Sequence, residues 1–236
     1  MSTFLKLKEN EREVRRELII HAALELFEEK SFHEIGMRDI ANKAGVSPAS
    51  IYRYFPSQDG LFVETLTHTI SEIEKSFKQQ IEEDQTSIQE LAIGVIDYLV
   101  DNEATFQMMC HFMVKGEINP DTLDKYNLVQ RYLFNLFDNV LMSNGETDNI
   151  RLVSHAFFAS LVGIVMSFRN YPGRSKNEIR KHMHRLALLL ADTFQNNINQ
   201  GFPKKLFEGY DHPRQNSARL YHPVRNRKHN NPLHDW

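Results

Sequence analysis

An all-α fold is predicted by three features of the sequence. Apolar side chains recur at intervals of three and four, long strict alternation of polar and apolar residues is absent, and no β-rich segment competes. With 236 residues, 41% hydrophobic and 25% charged, the chain is long enough to bury a sizeable core in one or two compact domains.

The first helix is expected over 11–29, where Leu18, Ala22 and Leu26 form one apolar row and Ile19, Ala23 and Phe27 the next. Glu25, Glu28, Glu29 and Lys30 stay outside that stripe. Residues 31–36 break the pattern, and a short helix follows over 37–44, with Gly36 as N-cap and Asp39 in its first turn, where the helix dipole favours an acid. Gly45 stops it, and Ser47-Pro48 restarts the chain as N-cap and first-turn proline. This next helix covers only 48–54, because Pro56 ends it and Ser57 caps a long helix to 83.

Beyond it the pattern predicts helices over 88–113, 121–141, 148–170 and 175–199, the last two closed by Tyr171-Pro172-Gly173 and Gly201-Phe202-Pro203. The segment 201–236 holds four prolines, four histidines and seven Lys/Arg against three Asp/Glu, with little apolar periodicity, and is expected to be disordered. The expected organisation is an arm over 1–11, a three-helix domain over 12–72, a helical body over 73–200 and a tail over 201–236.

Composition narrows the function classes. Cys110 is the single cysteine, and no Cys-x-x-Cys knuckle is present. The adjacent Cys110 and His111, with His155 elsewhere, have no spacing that fixes a metal geometry, so no metal or cofactor is expected. No apolar run is read as approaching the ~20 residues of a membrane span, and the N-terminus is too charged for a signal peptide. A cytoplasmic protein with no membrane partner is therefore expected. The net charge of −3 hides an uneven distribution: residues 1–60 hold nine Lys/Arg against ten Asp/Glu, and 61–200 hold twelve against eighteen. Any affinity for nucleic acid must rest on the placement of a few groups.

That placement is visible over 36–55. Ile40, Ala41, Ala44, Val46, Ile51 and Phe55 can pack the two short helices on the first, which leaves Ser47, Pro48, Ala49, Ser50, Tyr52, Arg53 and Tyr54 outward. Small residues at a helix start, followed by hydrogen-bond donors, suit entry into a major groove ~12 Å wide. No acid lies between Gly45 and Gln58 to repel phosphate.

The elements Arg38-Asp-Ile-Ala, Ala44-Gly-Val-Ser, Ile51-Tyr-Arg-Tyr-Phe-Pro-Ser and Leu61-Phe resemble the DNA-binding domain of TetR-family regulators, over roughly residues 12–72. The resemblance implies a helix-turn-helix domain followed by a helical ligand-binding and dimerisation domain. It puts Ser47, Pro48, Ala49, Ser50 and Tyr52 in the major groove, Arg53 at bases or phosphates, and Tyr54, Arg38 and Gln58 at the backbone. The sequence departs from the family in two places: Ile35-Gly36 stands where Thr-Thr is frequent, and Gln58 replaces a frequent lysine. The competing readings are aromatic packing for the two tyrosines and an ordinary surface charge for Arg38.

In the body, Ala156, Ala159, Ser160 and Gly163 would let another helix approach closely, and Met183, Leu186, Leu190 and Phe194 continue an apolar stripe. The resemblance implies that these two helices pair with their copies in a homodimer. The competing reading is intrachain core. The family also encloses a ligand among the middle helices, where Phe106, Met109, Phe112, Met113, Phe134, Phe137, His155 and Phe158 would favour a small apolar molecule, an acyl chain or a flat hydrophobic compound.

The leading expectation is thus a repressor released from palindromic operator DNA by that ligand. A nucleoid-associated architectural or division-control protein without a sensor is the alternative. An enzyme is not supported, since no nucleophile elbow, zinc-protease, P-loop or dinucleotide fingerprint occurs.

Overall fold

The computed structural model describes residues 3–30, 34–83, 86–145 and 149–206, the side chains of 3–6, 72–83 and 204 excepted. Helices α1 (Thr3–Glu29), α2 (Met37–Lys43), α3 (Pro48–Tyr54) and α4 (Gln58–Glu83) make the N-terminal part. The body is built from α5 (Ile88–Asp101), α6 (Glu103–Val114), α7 (Pro120–Ser143), α8 (Ile150–Phe168) and α9 (Lys176–Gln200). No strand occurs among the described residues.

The helix α1 starts at Thr3, so the expected arm over 1–11 is, from residue 3 on, the first turns of that helix. Charged pairs one turn apart support it, as where Arg15 reaches Glu11 at 2.8 Å. Its apolar stripe is rotated from the expected one: Ile19, Ile20, Ala22, Ala23, Leu26 and Phe27 are buried, whereas Leu18 is 55% exposed. The boundary expected at residue 72 also falls inside an element, because α4 runs through it without a break.

The helix expected over 88–113 is two helices. Asn102 leaves the helical region at φ −112°, ψ 70°, and its side-chain amide donates to the Tyr98 carbonyl at 2.9 Å. The chain thereby turns α6 away from α5 and onto α4 and α1. Behind this joint α5 lies along α9, and α7 packs on α4 and α8.

The helix α8 corrects the expectation about apolar runs: its 19 residues have a mean hydropathy of 1.7, long and apolar enough to cross a membrane. Its position gives another reason for that composition. It packs against α5, α7 and α9, with Val153, Phe157, Phe158, Leu161, Val162 and Val165 buried. A helix covered on several sides must be apolar on most of its circumference.

Contacts cluster the chain into two units, Met1–Gly201 and Phe202–Trp236. In the second, Lys204–Leu206 form a 3-10 turn. From residue 207 on, the tail expected to be disordered lies outside the described residues.

Candidate functional site

The turn between α2 and α3 is set by Gly45, whose φ of +67° is open to glycine and strained for other residues. Two backbone bonds close it, Gly45 N–H to the Asn42 carbonyl at 3.2 Å and Val46 N–H to the Ala41 carbonyl at 2.9 Å. Together they form a Schellman motif, which satisfies the last carbonyls of α2 and aims the chain into α3. There the Ser47 hydroxyl accepts from the Ser50 N–H at 3.0 Å and donates to Ser50 Oγ at 2.8 Å. Ser47 is thus occupied largely with capping, while Ser50 accepts with its oxygen and keeps its own proton.

Ile40 and Ala41 of α2, which packs on α1, are buried together with Ile51 and Phe55, and Ala44 and Val46 only partly so. The opposite side of α3 presents Ser47, Pro48, Ala49 and Arg53 to solvent, with Ser50 and Tyr54 half-buried. Tyr52 is 51% exposed, which packing does not account for. Arg38 is exposed on α2.

Behind this face the Arg16 guanidinium lies 4.8 Å over the Phe55 ring, donates to the Tyr54 carbonyl at 3.1 Å and pairs with Glu64. One cation from α1 therefore fixes the C-terminal end of α3 against α4. Burial lowers the Arg16 pKa below the usual arginine value. Lys43, exposed on α2, pairs with acids of α1, 2.7 Å from Glu29 and 3.2 Å from Glu25. Gln58 is exposed, and its amide donates to the Ile35 carbonyl at 2.8 Å, a tie between the start of α4 and the segment before α2.

One residue later, Asp59 joins this region to the body. His111 Nε2 lies 3.0 Å from one carboxylate oxygen, and Lys115 Nζ donates to the other at 2.5 Å. Burial pushes the Asp59 carboxyl up, but the bonds from Lys115 and His111 outweigh it and hold the group below its usual range. His111 belongs to α6 and Lys115 is the residue that caps it, and α6 also lines the cavities of the body.

Those cavities are two adjoining apolar spaces of about 50 and 10 Å³ that share Ile70, Met109, Leu133 and Phe158 as walls. Of the expected ligand residues, Met109, Met113, Phe134, Phe137 and Phe158 line them. Three do not. Phe106 lies under the Arg169 guanidinium at 4.7 Å, Phe112 stacks on Tyr126 at 4.9 Å, and His155 is exposed with its ring 4.1 Å from Phe134. Sequence reading missed Ile70, Leu91, Val95, Tyr98, Leu99, Leu133 and Leu136. Their signal lies in aliphatic rows at helical spacing on α5 and α7, which the conspicuous aromatic and methionine side chains overshadow. The polar ends of two lining residues are engaged with neighbours, the Tyr98 hydroxyl lying 3.4 Å from Thr105 Oγ1 and the Gln130 amide donating to the Tyr126 hydroxyl at 3.0 Å, so the walls stay apolar.

The proposed pairing face divides in two. On α8, Ala156, Ala159 and Gly163 are exposed and Ser160 half-buried, so a stripe of small residues faces outward. On α9 the expected stripe points inward: Met183 is 1% exposed, Leu186 and Leu190 are half-buried, and Phe194 lies 4.9 Å from Phe157. The outward apolar residues there are Leu188 and Leu189, the latter 66% exposed. The physical reason is that α9 must cover α5 and α8 with one face before it can offer another to a partner.

Residues 19–65 match the family model described as bacterial regulatory proteins, tetR family. The chain is similar to the fatty acid metabolism regulator protein of Bacillus subtilis (strain 168), 22% identical over 56% of this chain and 69% of the relative. It is also similar to the transcriptional regulator HbdR of Aromatoleum sp. (strain CIB), 27% identical over 64% of this chain and 59% of the relative. Other curated relatives are matched over less of their length, down to 38%. Among solved structures, FadR from Bacillus subtilis in complex with stearoyl-CoA aligns at a TM-score of 0.56, 17% identity, over 79% of this chain and 98% of that one. A TetR-family regulator from Mesorhizobium loti aligns at 0.58, 20% identity, over 78% and 96%.

Proposed function

We propose that this chain, which belongs to the TetR family of bacterial regulatory proteins, acts in the cytoplasm as a homodimeric repressor released from palindromic operator DNA by an acyl-type apolar ligand. DNA binding and transcription regulation come with the family, and the chain is not an enzyme. What is proposed is the compartment, the dimer on a palindrome, the sign, the ligand and the coupling.

The observation that carries the proposal is the Asp59 junction. A single carboxylate at the first turn of α4 is held by His111 of α6 and by Lys115 directly after it, while Met109 and Met113 of α6 line the cavities. A ligand that displaces α6 must strain or move the element that follows α3. The apolar walls and the stearoyl-CoA complex of the related FadR support an acyl chain as the occupant. At about 50 Å³ the larger cavity is far below the ~300–1,000 Å³ of ligand sites, so an acyl chain would have to part the helices as it enters. That opening is the differential contact through which ligand and DNA oppose each other.

The same small volume favours the second reading, an architectural DNA-binding protein without a sensor. The two separate in one titration. Operator fragments are selected from genomic DNA, and affinity is followed at fixed salt with stearoyl-CoA and, as a control, coenzyme A. The repressor reading expects a loss of ~5- to 150-fold with the acyl thioester alone. Unchanged affinity at saturating acyl-CoA would establish the architectural reading for this ligand class.

A further inference from the structure

We propose that Glu17, His21 and His68 form a site for a divalent transition-metal ion of borderline softness, such as Zn²⁺ or Ni²⁺, that ties α1 to α4. Glu17 and His21 are four residues apart and so share one face of α1, and His68 meets them from α4. The ligand atoms of all three lie within 4.8 Å of one another. His68 Nε2 is 3.8 Å from a Glu17 carboxylate oxygen, and the two imidazole rings stand edge to face with centroids 5.2 Å apart.

Two imidazoles and one carboxylate make a donor set suited to Zn²⁺ and its neighbours, with remaining positions left for water. The competing account is an ion pair plus an aromatic contact. It explains the arrangement poorly, because 3.8 Å is long for a charge-assisted bond. His68 Nδ1 is buried with no hydrogen-bond partner, and an ion held through that nitrogen would satisfy it. Around a tetrahedral ion at ~2.1 Å from each donor, ligand atoms sit about 3.4 Å apart. Closing from 4.8 Å is a matter of side-chain rotation. The site is open to entry, since His21 is exposed and the Glu17 and His68 side chains are 39% and 26% exposed.

Such an ion would cross-link the helix that carries the base of the DNA-reading head to the helix that leaves it, independently of the cavity. The experiment reads the ion without DNA, so its outcome is separate from the repressor reading. The full chain, stripped with EDTA, is titrated with Zn²⁺ and Ni²⁺ by calorimetry in a non-coordinating buffer, and thermal unfolding is recorded with and without metal. The expected result is a saturable site weakened at least about tenfold in His21→Ala and His68→Gln. A metal-dependent rise in the unfolding midpoint is expected in the parent chain and not in either variant. His21 is exposed, so its variant folds without loss of core packing. The tail histidines are kept in every variant, so an ion held there would survive the substitutions. Equal affinity in the parent chain and His21→Ala, or no saturable binding at all, overturns the proposal.

Discussion

Tyr52 and Tyr54 are two positions apart on a seven-residue helix, and their surroundings assign them different work. Tyr52 stands 51% exposed on the outward side of α3, beyond small residues that allow close approach to a groove. Tyr54 is half-buried, its carbonyl held by Arg16 and its phenol beside Arg15. A side chain at base edges changes which sequence is preferred, whereas one at phosphate weakens all sequences alike. Tyr52→Ala is therefore expected to cost ~1–3 kcal/mol on operator and less on scrambled DNA, and Tyr54→Phe to lower both equally. Anisotropy titrations on the two DNAs at one salt concentration measure the difference, and identical losses from both variants would remove the distinction. At this scale the sequence was legible where exposure was the question and illegible where a partner was. Nothing near Gln58 or Lys43 signals that Ile35 and Glu29 would claim them from far along the chain.

Elements were readable wherever the punctuation is local. The bounds of α3 follow from Ser47-Pro48 and Pro56, and the end of α2 from Gly45, because caps and turns depend on neighbouring residues alone. The break between α5 and α6 was not readable. No glycine or proline marks it, the apolar spacing continues through it, and Asn102 leaves the helix only because α6 gains packing on α4. The Gly45 turn gives a direct test of the head's geometry. With φ at +67° and no atom within 4 Å of the place a Cβ would take, Gly45→Ala introduces backbone strain and no steric clash. A loss of about 1–2 kcal/mol is expected in urea unfolding, with operator affinity falling as α3 is re-aimed. The α4–α6 junction has a pH signature of its own. Asp59 is held below its usual pKa, so its contribution is fully present above the unfolded-state value of ~3.9 and is lost as pH falls through the lower folded one. The stability gap between the parent chain and Asp59→Asn is expected to be constant from pH 7 to about pH 4 and to close below it. A gap that closes between pH 7 and 5 would point to a different group.

For the whole molecule the deciding question is which face meets a second copy. Apolar periodicity cannot answer it, because a stripe that covers a neighbouring helix and one that covers a partner look alike, and Met183 shows how the first kind is mistaken for the second. Exposure separates them: on α8 the small residues Ala156, Ala159 and Gly163 face outward, and on the adjacent α9 Leu188 and, most of all, Leu189 are exposed. In the proposed homodimer, such small side chains would let a helix of the second copy come close from outside. Gly163 provides the cleanest probe, because a Cβ built there meets no atom within 4 Å and the position is helical. Gly163→Arg should therefore be neutral to the fold of one chain, even slightly favourable by helix propensity. Across a close symmetric contact the same change places two guanidinium groups against each other, since both copies present the same residue near the axis. Sedimentation at micromolar concentration is expected to show a monomer where the parent chain is a dimer, with helicity by circular dichroism unchanged. Operator binding should fall by about 10²- to 10⁴-fold, because the second half-site is no longer reached at the effective concentration that linkage to the first provides. Single half-site DNA separates this from damage to the reading head, as affinity for it should be the same in both chains. A Gly163→Arg chain that stays dimeric and binds operator normally would move the interface elsewhere, and Leu189→Arg would then test the outward face of α9.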